Sequence, residues 1–176
     1  MTTTINVNFG AWIDVGGFIL NDALTNFSLP GDAACSWNAP DRGKRPQTAM
    51  APVIGMNASN RVVIVGGSAG GGEIVDYVAQ ALIQIIHGAT PLAALDAGHV
   101  STARAPYKDS PGLVELEMNR GIAELADALR SRGHPIKIAP LQSGLGFLVW
   151  RDGWSGAADP RRDGNAVTGR SAGKAQ

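Results

Sequence analysis

The feature that most constrains this chain is a glycine-rich stretch between an apolar strand and an apolar helix. It reads RVVIVGGSAGGGEIVDYVAQALIQII from Arg61 to Ile86, with five glycines among the seven residues from Gly66 to Gly72. Glycine adopts backbone conformations that other residues avoid, so this run predicts a tight strand-to-helix turn. Such turns commonly hold a phosphate or a developing negative charge, because backbone N–H groups and the helix N-terminus lie together there. The stretch therefore predicts a layered α/β domain with a candidate anion site.

Two common nucleotide-binding motifs do not match this turn. A dinucleotide fingerprint needs Gly-x-Gly-x-x-Gly, and no register between Gly66 and Gly72 supplies it. A P-loop needs a lysine that this stretch lacks, and Glu73 would repel a phosphate at the helix N-terminus. Two interpretations stay open. The glycines allow the helix to pack closely on the sheet, or two adjacent amides form an oxyanion site.

Composition excludes several classes of partner. Of the 176 residues, 15 are basic and 15 acidic, so no net field attracts nucleic acid or an anionic membrane. No apolar run is long enough to cross a bilayer. The single cysteine excludes an internal disulfide framework. Three scattered histidines show no metal-ligand spacing, so we expect no metal and no cofactor.

Periodicity and turn residues predict strands near both ends of the chain and helices in the middle, without strict βαβ alternation. The helix after the glycines is expected to bury Ile74, Val78, Ala81 and Ile85, with Val75, Leu82 and Ile86 beside them. We expect one domain over residues 1–168 and a disordered tail over 169–176. The other predicted elements are strands over 2–9, Gly16–Asp22, 62–67, 112–118, 134–140 and 146–154, a long loop over Leu29–Asn60, a helix capped by Thr90, and a helix through Met118, Ile122, Leu125 and Leu129 that ends at Gly133.

Five stretches occur along the chain in an informative order. They are TINVNFG (Thr4–Gly10), LNDALTNFS (Leu20–Ser28), GKRPQTAMAP (Gly43–Pro52), VGGSAGGGEI (Val65–Ile74) and GAADPRRDG (Gly156–Gly164). Together they resemble the small, C-terminal subunit of the γ-glutamyltransferases (γ-glutamyltranspeptidases). The resemblance covers nearly the whole chain. It implies an α/β (α+β) fold, part of the four-layer αββα sandwich of the N-terminal-nucleophile (Ntn) hydrolases.

The resemblance also implies a reaction class. In that family a precursor cleaves itself, and the freed threonine of the small subunit attacks a γ-glutamyl amide such as glutathione. The resulting ester passes its acyl group to water, an amino acid or a dipeptide. The implied partners are the large subunit of the same precursor and a γ-glutamyl or glutaryl amide substrate. The resemblance allows a periplasmic, secreted or cytoplasmic location in bacteria.

Several residues match positions that have roles in the family. Gly70 and Gly71 match the oxyanion-hole glycines. Thr4 matches a threonine that contacts the nucleophile, and Asn6 matches an asparagine that holds the glutamyl end of the substrate. The alternative for these last two is that they only share one face of a strand.

Other positions depart from the family pattern. Asn26 stands where many members have an acidic residue for the substrate ammonium, and a nearby polar position is Ala23. A serine pair of the family is Thr48 and Ala49 here, so one of its hydroxyl groups is absent. These changes raise the alternative of a glutaryl or cephalosporin acylase-like amidohydrolase.

The nucleophile is the largest departure. The resemblance places the nucleophilic threonine one strand upstream of Thr4, and no such segment precedes Thr4 in this chain. We therefore expect the chain alone to be inactive. A further alternative is a non-catalytic remnant that acts as a binding or assembly module. Near the C-terminus, Arg161 and Arg162 are expected to form structural ion pairs that hold the last strand.

Overall fold

A computed structural model describes residues 3–6, 10–29, 36–102 and 112–167. Its contacts group the chain into two compact units, Met1–Met50 and Ala51–Gln176, and each is described by itself. The tail predicted over 169–176 lies outside the described residues. Among the described residues, no helix is long and apolar enough to span a membrane.

The first unit consists mainly of turns. Strands β1 (Asp14–Val15) and β2 (Phe18–Ile19) form a short antiparallel hairpin, and Gly16 and Gly17 at its tip have φ angles of 64° and 86°. Positive φ at both central residues is typical of a hairpin turn whose twist matches its strands. The strand predicted over Gly16–Asp22 is therefore present only as its central pair.

The strand predicted over residues 2–9 is wrong in its described part. Residues 3–6 form no strand, and Asn6 has a left-handed φ of 68°. β-Branched residues favour a strand only when a neighbouring strand pairs with them, and none does so here among the described residues. The described residues of the first unit also form 3-10 turns at Ala23–Asn26 and Ser36–Asn38.

In the described part of the second unit, residues 51–102 and 112–167, there are two sheets and three helices. The first sheet is antiparallel, in the order β3-β4-β8-β9, and the second has the order β5-β6-β7 with β6 and β7 parallel. The elements are β3 (Val53–Met56), β4 (Val62–Gly67), α1 (Ile74–Ile86), α2 (Pro91–Asp96), β5 (Val100–Ser101), β6 (Val114–Glu117), α3 (Ala126–Arg130), β7 (Ile136–Ala139), β8 (Gly146–Trp150) and β9 (Trp154–Ala158).

The core lies between the helices and one face of the four-stranded sheet. Along β8, Phe147 and Val149 are buried while Leu148 and Trp150 are exposed, as expected when one face of a sheet is covered. Helix α1 contacts β4 and β5, and α2 contacts β8 and β9. The layered α/β arrangement predicted from the sequence is confirmed.

Helix α1 buries the stripe predicted for it, including Ile74, Val78, Ala81 and Ile85. Its predicted stripe was too broad, however, because Val75 and Ile86 are exposed. Helix α2 begins as predicted. The Thr90 side chain accepts a hydrogen bond from the Ala93 N–H at 3.3 Å, and Pro91 occupies the first helical position.

The helix predicted through Met118 and Leu129 forms only in its second half. Ile122–Leu125 is a 3-10 turn that leads into α3, and Met118 precedes both. Gly121, with a φ of 74°, separates Met118 from this turn, because a left-handed residue interrupts an α-helix. Gly133, with a φ of 88°, follows the helix as predicted.

Gly66 is predicted to be essential for the fit between β4 and β8. A Cβ atom at Gly66 would lie 2.3 Å from Cδ1 of Phe147, which faces it in register. Gly66→Ala should therefore lower the free energy of unfolding by about 1–3 kcal/mol through overpacking. Urea denaturation followed by tryptophan fluorescence measures this loss.

Gly146→Ala is the matched control in the same sheet, because a Cβ atom there meets nothing within 4 Å. This control should change stability by less than about 0.5 kcal/mol. Equal losses in the two variants would contradict the proposed fit.

Candidate active site

The glycine turn follows β4 and leads through the 3-10 turn Gly71–Glu73 into α1. Gly70 and Gly71 have φ angles of 130° and 76°, which L-residues with a side chain rarely adopt. A Cβ atom at Gly70 would also lie 2.7 Å from the ring of Tyr77. Close helix packing is thus one reason for a glycine at position 70.

The backbone amides of the two glycines are available. Neither the Gly70 N–H nor the Gly71 N–H donates a hydrogen bond to another described residue. Because an amide at the start of a helix lacks an intrahelical acceptor, it can bind an external oxygen. The turn therefore has the donors that an oxyanion site needs, as well as the close contact of a packing glycine.

The turn is braced from the segment Ser143–Leu145. The Ala69 N–H donates to the Gly144 carbonyl at 3.3 Å, and the Gly144 N–H donates to Oγ of Ser68 at 3.1 Å. Because the carbonyl and the N–H of Gly144 each bond to a residue of the turn, this segment holds Ser68 and Ala69 in place. The amides of the two glycines after Ala69 are not used in this brace.

Ser143 anchors the brace in the interior. Its hydroxyl lies 2.7 Å from Nε2 of His99 and donates to Oδ2 of Asp159, which also accepts the Leu145 N–H at 3.0 Å. All three polar side chains are buried. Serine lies between histidine and carboxylate here, whereas a hydrolytic triad places histidine in the middle, so this is a structural network.

Arg161 connects the network to the three-stranded sheet. It forms two bonds to the carboxylate of Glu117, at 2.6 and 2.7 Å, and a third to Oδ1 of Asp159 at 3.2 Å. Its guanidinium also donates to the Leu95 and Ala97 carbonyls at the end of α2. The predicted structural role of Arg161 is confirmed.

The charges of this network are set by its surroundings. Burial would raise the pKa of Asp159, but hydrogen bonds from Ser143, Arg161 and Leu145 together lower that pKa below its ordinary value. Burial, followed by the charge of Arg161, lowers the pKa of His99 to about 4. His99 is therefore neutral at pH 7, and its ring lies against Tyr77 of α1 with a centroid separation of 4.4 Å.

Three of the predicted site residues, one catalytic and two substrate-binding, meet in the first unit. The Asn6 N–H donates to Oγ1 of Thr4 at 2.9 Å, and Nδ2 of Asn6 donates to Oδ1 of Asn26 at 3.2 Å. A weaker bond joins Nδ2 of Asn6 to Oγ1 of Thr25 at 3.4 Å. Because Asn6 is left-handed and outside any strand, the alternative that it shares a strand face with Thr4 is wrong.

Asn38 extends this cluster and was missed by the sequence analysis. It is buried, donates from Nδ2 to the Asn26 carbonyl at 2.8 Å, and accepts the Gln47 N–H at 3.0 Å. Thr48 and Ala49 follow directly, and Oγ1 of Thr48 accepts the Met50 N–H at 3.2 Å. The only sequence signal was an asparagine inside a long loop.

The predicted residues thus fall into two groups. Thr4, Asn6 and Asn26 form one hydrogen-bonded cluster of the first unit, and Thr48 and Ala49 lie next to its Asn38 extension. The two glycines belong to the second unit. Among the described residues, no group of three or more histidine, cysteine, aspartate or glutamate side chains could hold a metal ion.

Comparison with known proteins identifies the family. The sequence profile described as gamma-glutamyltranspeptidase matches residues 1–169. The chain belongs to the gamma-glutamyltranspeptidase family. This confirms the family to which the five motifs point, and the members of this family are enzymes.

Two named relatives of this gamma-glutamyltranspeptidase-family chain are fungal. It is 30% identical to a glutathione hydrolase of Aspergillus flavus over 91% of the chain and 28% of the relative. It is 26% identical to glutathione hydrolase proenzyme 2 of Schizosaccharomyces pombe over 95% of the chain and 29% of the relative. The chain thus spans less than a third of the length of these relatives.

Solved structures of the family share the fold. The T380A mutant of Helicobacter pylori gamma-glutamyltranspeptidase has a TM-score of 0.76 and 26% identity, over 92% of each chain. The Pseudomonas nitroreducens enzyme complexed with L-DON has a TM-score of 0.77 over 97% of this chain and 92% of that one. Its 24% identity supports the fold alone. The family chain therefore has the α+β fold of the Ntn hydrolases.

The neutral, buried His99 predicts a pH-dependent stability. In the unfolded chain its pKa is near 6.5, whereas burial lowers it to about 4 in the folded protein. As the pH falls below the unfolded value, only the unfolded state gains a proton, so stability is lost between these two values. At about pH 5 this loss is expected to be about 2 kcal/mol, measured from urea midpoints.

His99→Gln removes the titrating group and should flatten this part of the stability profile. The exposed His134 is the matched control, because it lies outside the buried network. His134→Gln should retain the wild-type slope. An unchanged slope in His99→Gln would contradict the assignment.

Proposed function

We propose that this chain is the greater part of the small subunit of a γ-glutamyltransferase or glutathione hydrolase. The reaction transfers an acyl group from a γ-glutamyl amide, through a threonine ester, to water, an amino acid or a dipeptide. The observation that carries the proposal is the pair of amides at Gly70 and Gly71, neither of which donates to another residue that the structure describes. They follow a strand and start a helix at the positions that match the oxyanion glycines of the family.

The chemistry requires such donors. When threonine attacks the amide carbonyl, the carbonyl oxygen becomes negatively charged, and hydrogen bonds that strengthen with this charge lower the barrier. One preorganised donor contributes about 3 kcal/mol in comparable enzymes. The brace at Gly144 supports this role because it holds the turn without using either amide.

The cluster of the first unit is proposed to bind the glutamyl end of the substrate. Asn26 offers the uncharged oxygen Oδ1, which already accepts a bond from Asn6. A carboxylate would add a charge-assisted bond to the substrate ammonium, and this bond is missing with asparagine. We therefore expect γ-glutamyl transfer in which Asn26 binds the α-amino group of the substrate more weakly than a carboxylate would.

We place the nucleophilic threonine outside residues 1–176, and residues 1–168 within the small-subunit domain. The motif that begins at Thr4 matches the strand after the nucleophile in the family. The description of the Schizosaccharomyces pombe relative as a proenzyme supports a precursor that is cleaved. The large subunit of that precursor is the proposed partner.

A γ-glutamyl anilide tests this proposal. The gene product read in frame with the DNA upstream of Met1 should cleave it, whereas residues 1–176 alone should not, because the nucleophile is missing. Turnover is measured by release of the aniline. Activity of residues 1–176 alone, or an inactive full-length product, would contradict the proposal.

Two glycine variants link that activity to the turn. Gly71→Ala should reduce kcat about ten- to a hundredfold, since it tilts an oxyanion donor. Gly121→Ala is the matched control, with a φ of 74° against 76° and open space around its Cα. It carries the same backbone strain away from the turn and should leave kcat unchanged.

Asn26→Asp should restore the missing charge. We expect KM for a γ-glutamyl anilide to fall about tenfold, because a charge-assisted bond to the ammonium forms. KM for a glutaryl anilide, which has no amino group, should not fall. Both constants are obtained from initial rates.

Asn21→Asp is the control with the same change of charge on an exposed side chain of the same unit. An equal effect in both variants would show a general electrostatic response and would reject the contact. A glutaryl substrate preferred a hundredfold by the unaltered enzyme would favour the acylase alternative.

A further inference from the structure

Arg162 does not form the ion pair that the sequence analysis expected. No carboxylate of a described residue lies within ion-pair distance of it, in contrast to the neighbouring Arg161. Its Nε donates to the Ser143 carbonyl at 2.6 Å, and its Nη2 donates weakly to the Gln142 carbonyl at 3.4 Å. Its Nη1 makes no hydrogen bond to a described residue.

Arg162 is exposed to solvent, but its side chain is held in place. A Cβ atom at Gly144 would lie 2.8 Å from Nε and 3.0 Å from Cδ of Arg162, so the arm of the arginine lies directly on this glycine. The Arg162 N–H also donates to the Asp159 carbonyl at 3.1 Å. A guanidinium fixed in this way needs little ordering when it binds an anion.

Arg162 lines a cavity of about 300 Å³ together with Gly70, Tyr77, Pro140, Leu141 and Gln142. It is the one charged residue among these, so a negative group is favoured inside. The volume is at the lower end for small-molecule sites. The cavity also borders the glycine turn, because Gly70 belongs to both.

We propose that this cavity binds the carboxylate of the amine that accepts the acyl group, through Arg162. The inference rests on the proposed function. The amine nitrogen attacks the ester carbonyl carbon, a new amide bond forms, and the ester C–O bond breaks. The amine proton goes to the threonine oxygen, which leaves as the hydroxyl.

The position of the cavity fits an acceptor. The carbonyl carbon under attack lies next to the oxyanion donor Gly70, so the amine that approaches it must lie near this residue. An amino acid or dipeptide also carries a carboxylate, and a fixed guanidinium binds a carboxylate better than a flexible ammonium does. Acceptors without a carboxylate gain nothing from Arg162.

Isothermal titration of the full-length protein without an acyl donor tests this binding. The two probes are glycylglycine and glycylglycinamide, which differ only at the carboxylate. The dipeptide should bind about ten- to a hundredfold more tightly than its amide. Arg162→Gln should abolish this difference, while Arg162→Lys should retain part of it.

Arg132→Gln is the matched control, since Arg132 is exposed, does not line the cavity and its replacement removes the same charge. It should keep the full difference between the probes. Thermal melting of each variant shows whether it is folded. If Arg162→Gln does not fold, Arg162→Lys replaces it in the comparison of the two probes. Equal binding of the two probes, no binding of either, or an unchanged difference in Arg162→Gln would overturn the proposal.

This test is separate from that of the proposed function. Binding is measured without turnover, so an inactive protein can still discriminate between the probes. Conversely, cleavage of the γ-glutamyl anilide together with equal binding of the probes would reject the carboxylate site alone. If glycylglycine binds no more tightly than glycylglycinamide and inorganic sulfate displaces it, the cavity is a general anion site. That result would also overturn the proposed carboxylate site.

Discussion

The buried pairing of Arg161 with Glu117 and Asp159 is the interaction on which the second unit depends. The two carboxylates belong to different parts of the fold, one in β6 and one directly after β9. Loss of the guanidinium would remove from both buried carboxylates the cation that hydrogen-bonds to them, and breaking a buried ion pair is strongly destabilising. By satisfying both, Arg161 joins the three-stranded sheet, the four-stranded sheet and the end of α2. Ser143 and Leu145 then attach to the same aspartate.

The glycine turn depends on this interior arrangement through a short path. Asp159 holds Ser143 and Leu145, and the residue between them, Gly144, bonds to Ser68 and Ala69 at the start of the turn. The turn is thus supported by the hydrogen bonds of Gly144 and by contact with the ring of Tyr77. An oxyanion site must be rigid before charge develops, since reorganisation during the reaction would cost part of the stabilisation. The bonds of Gly144 would meet this requirement in the proposed oxyanion site with the protein's own backbone.

Sequence patterns predicted the elements with strong local signals. The strand before the glycines, the face of α1 that is buried and the Thr90 cap depend on neighbouring residues, so each could be inferred without the fold. The absence of a strand at residues 3–6 could not be inferred, because strand formation depends on a partner elsewhere. The links among His99, Ser143 and Asp159 connect residues 16 to 44 positions apart, and no periodicity marks them. For the site, motif order indicated the glycines, while Asn38 carried no distinguishing pattern.

Gly144 contacts both the glycine turn and Arg162, and this has an evolutionary consequence. Its backbone supports the glycine turn, while its bare Cα provides the surface on which Arg162 lies. Under the roles proposed for the turn and for Arg162, a mutation there would disturb the rate of the chemical step and the choice of acceptor at once. Selection for a new acceptor would therefore have to act on residues around this position, because most substitutions of Gly144 itself would affect both the turn and Arg162.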